Sequence, residues 1–144
     1  MDKVFLLLGT NLGDKYKNLS SSIIKLKEIL GDNLLSEIEE SSIYESEPWG
    51  FDSEESFLNQ AISFTTDLEP EDLLKKTQMV ECLMGRATHS AAFDENGNRV
   101  YEDRLIDIDI LLFGDRVVDL PHLIIPHKEL NNRPFALIPL NELR

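Results

Sequence analysis

Apolar positions along this chain follow two rhythms, and each change of rhythm marks an element. Residues 3–8 form a short apolar run closed by Gly9, which predicts a buried strand. Residues 14–30 switch to helical spacing: Leu19, Ile23, Leu26 and Leu30 recur every three or four positions, and Gly31 ends the pattern. Residues 34–46, with Ile38, Ile43 and Tyr44, predict a second strand, which Pro48, Trp49 and Gly50 break. Residues 57–66 are aromatic, β-branched and apolar, and predict a third. Pro70 opens a second helix whose inward stripe is Leu73, Thr77, Val80 and Met84 and which Gly85 ends. Residues 104–113 are the clearest strand, turning through Gly114 and Asp115 into Val117 and Val118.

The order strand, helix, strand, strand, helix, strand is that of an α+β, ferredoxin-like βαββαβ core. It predicts an antiparallel sheet with the helices packed on one face. No repeat, low-complexity tract or linker interrupts the pattern, so residues 1–144 are expected to be a single domain. A chain of that length buries roughly two-thirds of its unfolded surface, enough for an independent core.

Charge narrows the partners. The chain has 27 acidic and 14 basic residues, a net charge of −13. Such a surface repels nucleic acid and anionic membranes, and no Lys/Arg-rich stripe overrides it. No apolar run approaches the roughly 20 residues needed to span a bilayer. Cys82 is the one cysteine, which excludes an internal disulfide. Because the first residues read as a strand rather than an export signal, a reducing, cytoplasmic setting is expected. Cys82 falls in a helical pattern and reads as a packing residue.

Against that acidic background, Asp107 and Asp109 stand out. In Leu105-Ile106-Asp107-Ile108-Asp109-Ile110-Leu111, strand alternation points both carboxylates to one face, about 6.5–7 Å apart along it, with the isoleucines toward the core. Two carboxylates in an apolar strand repel each other unless compensated. Magnesium suits them, since it takes one or two carboxylates plus water and phosphate oxygens. On spacing alone, the exposed face of an edge strand explains the pair equally well. Arg86, Arg104, His127 and Arg133 lie nearby in sequence, and arginine forks bind phosphate oxygens bidentately. Gln78 and Glu81, three apart on the second helix, share a face that suits either a nucleotide or solvent. Gly9-Thr10-Asn11-Leu12-Gly13 joins strand to helix, but Lys15 is misplaced for a phosphate-binding P-loop, so a tight turn is expected. Trp49, Phe57, Tyr101 and Phe135 are core or loop aromatics able to stack on a flat heterocycle. His89, His122 and His127 lack the spacing and the cysteine companions of a zinc site.

Five segments in this order resemble the 6-hydroxymethyl-7,8-dihydropterin pyrophosphokinase family of folate synthesis. They are Gly9-Thr10-Asn11-Leu12-Gly13, Tyr44-Glu45-Ser46-Glu47-Pro48-Trp49-Gly50, Phe57-Leu58-Asn59, Arg104-Leu105-Ile106-Asp107-Ile108-Asp109, and Pro126-His127 through Arg133. The resemblance covers nearly the whole chain. It implies transfer of pyrophosphate from ATP, the co-substrate, to the hydroxymethyl oxygen of the pterin, with release of AMP. It implies two magnesium ions on Asp107 and Asp109. It also implies a pterin site of Ser46, Trp49, Phe57, Asn59, Tyr101 and Phe135, with Asn59 on the ring's edge. Gln78, Glu81, Arg86, Arg104, His127 and Arg133 would contact ATP, with Arg86, Arg104 and Asp109 catalytic. Asp109 or a water is the candidate to take the hydroxyl proton.

Departures from the family pattern fall in residues 86–104. This stretch is longer than usual, includes a turn at Asn96-Gly97, and places Tyr101 where tryptophan is expected and Thr88 where arginine is common. Small-molecule substrates are expected as partners, with no nucleic acid and no membrane, and the chain is expected to be a monomer. A non-catalytic binding module on the same fold is the alternative, and a metal-dependent phosphohydrolase is a second.

Overall fold

The computed structural model describes residues 1–46, 56–85, 105–128, 130 and 134–144, apart from the side chain of Phe135. Its elements in chain order are β1 (Asp2–Thr10), α1 (Lys15–Leu30), a short 3-10 turn, β2 (Glu39–Glu40), β3 (Tyr44–Ser46), β4 (Phe57–Thr66), α2 (Pro70–Leu83), β5 (Asp107–Phe113), β6 (Val118–Leu120), β7 (Leu123–Ile125) and α3 (Pro134–Leu143). β1 is central, antiparallel to β4 on one side and to β5 on the other, while β2 and β3 both pair with the far edge of β4. This is the expected ferredoxin-like sheet, and β6 and β7 add a separate hairpin.

The helices form where their stripes predict. Leu19, Ile23, Leu26 and Leu30 are the buried positions of α1 together with Ser22, and Asp14 caps the helix by accepting the Lys17 N–H. Pro70 begins α2, and Leu73, Thr77 and Val80 are buried. Both helices pack on the sheet face made by Val4, Leu6, Leu8, Leu58, Ile62, Phe64, Ile106, Ile108, Ile110 and Phe113. Cys82 is exposed on the outer side of α2, which corrects the packing role expected of it. Arg116, beyond β5, ties Glu69 at the start of α2 to Asp2 at the start of β1.

Three expectations change. The strand expected over residues 34–46 is broken into β2 and β3. Glu40 pairs with Ile62 and Tyr44 with Asn59, so one extra residue is accommodated between them. Ser41 fills the break: its Oγ accepts the Ala61 N–H at 2.9 Å, and its N–H donates to Ala61 O. The last strand begins at Asp107 rather than 104 among the described residues. And the helices do not share one face, because α3 covers the other. Leu7, Leu111, Leu130, Ala136 and Leu140 form a second buried cluster there, bordered by Phe5, Leu112 and Leu137. A bulge helps: Leu6 pairs with Ile110 and Phe5 with Leu112, so Leu111 is an extra residue that joins the α3 side.

Candidate active site

The site lies on the α3 face, where the apolar cover gives way to polar side chains. Paired residues of antiparallel strands point the same way, so the register assembles it directly. Tyr44, Asn59, Gly9 and Asp107 form one row across β3, β4, β1 and β5. The adjacent row on the same face holds Ala61, Leu7 and Asp109. Both aspartates are half-buried, and Ile106, Ile108 and Ile110 are buried behind them. The predicted alternation along this strand is therefore what the structure has.

Asn59 is buried and held in one orientation. Its Nδ2 donates to Ser46 Oγ at 2.7 Å and to the Tyr44 carbonyl at 3.4 Å. A carbonyl can only accept, so the amide nitrogen faces β3 and Oδ1 faces β1. Ser46, expected beside the pterin, thus touches Asn59. Phe57 lies two residues from Asn59 on the same face and is half-buried. Lys15, at the start of α1, donates from Nζ to Ser56 O at 3.0 Å at this end of the sheet. That contact gives it a structural role, in keeping with its misfit to a P-loop.

His127 reaches the aspartates through the hairpin. The chain returns from β7 through the cis Ile125–Pro126 bond, and the His127 N–H donates to Leu111 O at 3.1 Å. Its Nε2 then stands 3.8 Å from Asp109 Oδ1, with both side chains about one-fifth exposed. Glu81 takes a place that sequence spacing did not suggest. It is 5% exposed, and its Oε2 accepts the Ile108 N–H at 3.0 Å. β5 has no further strand beside it among the described residues, so this carboxylate reaches from α2 around the sheet edge to the backbone between the two aspartates. Gln78, one turn earlier, is half-buried.

The turn after β1 is built as a helix entrance. Asn18 donates from Nδ2 to Thr10 Oγ1 at 3.1 Å and to Leu12 O at 2.7 Å, and Gly13 takes a left-handed φ of 66°. Trp49, Arg86, Tyr101, Arg104, Arg133 and the side chain of Phe135 lie outside the described residues, as does the 86–104 stretch with its Asn96-Gly97 turn.

The residues present fit magnesium. Asp107 and Asp109 offer hard oxygen donors on one face, and no group of three or more His, Cys, Asp or Glu side chains forms a metal cage among the described residues. An ion that retains waters and phosphate oxygens requires no such cage.

Fold and site together define a class: an α+β protein of ferredoxin-like topology with a carboxylate pair and an oriented amide on one face of its sheet. Residues 5–144 match the model of the family described as 7,8-dihydro-6-hydroxymethylpterin-pyrophosphokinase. A 2-amino-4-hydroxy-6-hydroxymethyldihydropteridine pyrophosphokinase of Porphyromonas gingivalis is 40% identical over 97% of this chain and 89% of its own. One from Aquifex aeolicus is 38% identical over 99% of this chain and 81% of its own. A crystal structure of Plasmodium falciparum HPPK-DHPS with pteroate matches 98% of this chain with a TM-score of 0.69 at 17% identity. It shares the fold, and this chain spans 38% of its length. The chain belongs to the 7,8-dihydro-6-hydroxymethylpterin-pyrophosphokinase family.

Proposed function

We propose that this chain transfers pyrophosphate from ATP to the hydroxymethyl group of 6-hydroxymethyl-7,8-dihydropterin, releasing AMP for folate synthesis, and that Asp107 and Asp109 hold two magnesium ions for the reaction. The observation that carries this reading is the row containing Asn59 and Asp107, with Asp109 in the next. A pterin has its amide-like edge at one end and its hydroxymethyl arm at the other. With Asn59 on the edge, the arm extends toward the aspartates.

In the reaction the hydroxymethyl oxygen forms a bond to the β-phosphorus of ATP, the bond from that phosphorus to the oxygen of AMP breaks, and the hydroxyl proton passes to Asp109 or water. Bound magnesium supplies charge neutralisation on the phosphate oxygens and orients them. The protein's own work is positioning. Asn59 orients the ring, Phe57 lies against it, Ser46 holds Asn59, and Asp107 and Asp109 fix the phosphate end. His127 belongs to the ATP side, as do Gln78 and Glu81 at the edge of β5. Arg86, Arg104 and Arg133 complete the phosphate contacts, and Trp49, Tyr101 and Phe135 the pterin pocket. One domain, acting as a cytoplasmic monomer, suffices for this chemistry. No helix among the described residues is long and apolar enough to cross a membrane.

AMP formation from ATP, magnesium and the pterin alcohol, in wild type and Asp107→Ala, tests the proposal. Wild type should form AMP only with the pterin present, and the variant should lose most of that activity. Equal rates in the two would overturn the assignment. A non-catalytic binding module would form no AMP, and a phosphohydrolase would release phosphate from ATP alone.

A further inference from the structure

We propose that Gly9 is a specificity-determining residue: the side chain it lacks leaves the trough in which the flat acceptor lies between Asn59 and the aspartates. The inference rests on the pterin assignment above. Gly9 stands in the middle of the row, paired with Asn59 on β4 and Asp107 on β5. Those two residues are two strand spacings apart, about 10 Å. Every other member of the row carries a side chain on this face, so the glycine makes a gap flanked by an amide and a carboxylate.

Among the described residues, nothing in the fold requires glycine here. Gly9 has no positive φ, unlike Gly13, Gly31, Gly85 and Gly114. A Cβ built on it would meet Asn59 Oδ1 at 3.5 Å and Phe57 Cδ1 at 3.6 Å, which are ordinary contacts. No other described residue beyond the chain neighbours comes within 4 Å. Glycine within a strand weakens it, so its presence in the central strand costs stability with no backbone reason. What a methyl group would change is access. It would sit against Asn59 Oδ1, on the side from which an N–H of the amino-pyrimidinone ring approaches, and beside the Phe57 ring edge. Loss of that approach leaves a buried acceptor unpaired against the substrate, which is how a site built on hydrogen bonds discriminates strongly.

Gly9→Ala and Gly9→Val test this, with three readouts: thermal melting, ATP affinity by titration of a fluorescent ATP analogue with magnesium, and affinity for 6-hydroxymethyldihydropterin by fluorescence titration. Gly9→Ala should melt at or above the wild-type temperature and bind the nucleotide as wild type does. Its pterin Kd should rise roughly tenfold or more, and that of Gly9→Val further. A pterin Kd within about twofold of wild type in a folded Gly9→Ala overturns the proposal, as does equal weakening of pterin and nucleotide accompanied by a lower melting temperature. If wild type itself fails to bind the pterin, the functional reading falls and this inference falls with it. That result is read in the unmutated protein and cannot be confused with the others.

Discussion

The two faces of the central sheet are made by the same three strands and carry different burdens. Toward α1 and α2, Leu6, Leu8, Ile62, Phe64, Ile108 and Ile110 are buried, and the one buried polar strand residue between them, Gln60 opposite Leu8, donates to the Ser41 carbonyl. Toward α3, the strands offer Leu7 and Leu111 beneath the helix, then Gly9, Asn59, Asp107 and Asp109 beyond it. A single residue along β5 separates the two roles, since Ile108 lies between Asp107 and Asp109 and points the opposite way. Stability and chemistry are thus divided with a period of two. One face can vary its polar residues because the other, with two helices on it, supplies the core. Substitutions at neighbouring positions should therefore give opposite phenotypes, and the separation can be attacked from either side.

The largest effect is expected on the polar face. Asp109→Ala removes one of two oxygen ligands for the proposed magnesium, whose charge stabilisation is worth several kcal/mol. AMP formation should fall by about 10³-fold or more, with the melting temperature held within a few degrees. A melting temperature that drops as far as that of a core variant would break the division, because Asp109 would then be carrying the fold. The converse variant, Ile62→Ala, opens a cavity under α1 and α2. It should cost about 2–5 kcal/mol in urea unfolding and leave the turnover of the folded fraction near wild type. A large loss of turnover at a temperature where Ile62→Ala is fully folded would show the faces to be coupled.

Glu81 is the residue best placed to couple them. It belongs to α2, on the core side, but its carboxylate ends on the Ile108 N–H between the two aspartates. Glu81→Ala leaves that donor unpaired, a loss of about 1–3 kcal/mol. Glu81→Gln retains an accepting oxygen and should recover most of it. If Glu81 positions β5, the alanine variant will require more magnesium for half-maximal rate while its KM for ATP changes little. If instead it meets the nucleotide, as the family resemblance implies, the KM for ATP will rise at saturating magnesium. Steady-state kinetics at varied magnesium separates the two outcomes.

Much of this division was legible from residue order. The α1 stripe, the alternation through Ile106–Ile110 and the Asp pair follow from periodicity, which reports burial directly. What was not legible depends on partners distant in sequence. The break at Ser41 requires its hydroxyl to take the Ala61 N–H, twenty residues away. α3 escaped notice because PFALIPLNEL has no polar stripe and carries Pro139 inside the helix, so neither the periodicity nor the proline rule points to a helix. His127 meets Asp109 only because a hairpin folds back. Among the candidate residues, those on strands were placed by register, whereas the role of Glu81 depended on how its helix crosses the sheet edge.

The smallest expected effect concerns how α3 is fastened over the polar face. Glu142 near its end accepts from Tyr44 Oη at 2.7 Å, from Ser42 Oγ at 2.8 Å and from the Ser42 N–H at 2.9 Å. Tyr44 shares a row with Asn59, so this clamp joins the helix to the strand that orients the amide. These hydrogen bonds, the Tyr44 hydroxyl first, hold the Glu142 carboxyl below its ordinary 4.5. The bond to Glu142 pushes the Tyr44 phenol above its ordinary 10.0. A lowered folded pKa favours the folded state above the unfolded value and loses that contribution as pH falls through the folded one. The glutamate's contribution is therefore present near neutrality and disappears below 4.5, while the tyrosine's disappears as pH rises beyond 10.0. Glu142 is exposed and Tyr44 only half-buried, so the effect is small and screened by salt. Glu142→Gln should flatten the acid limb of a melting-temperature profile relative to wild type and raise the KM for the pterin slightly. An acid limb identical to wild type would show that Glu142 contributes nothing to holding α3 over this face.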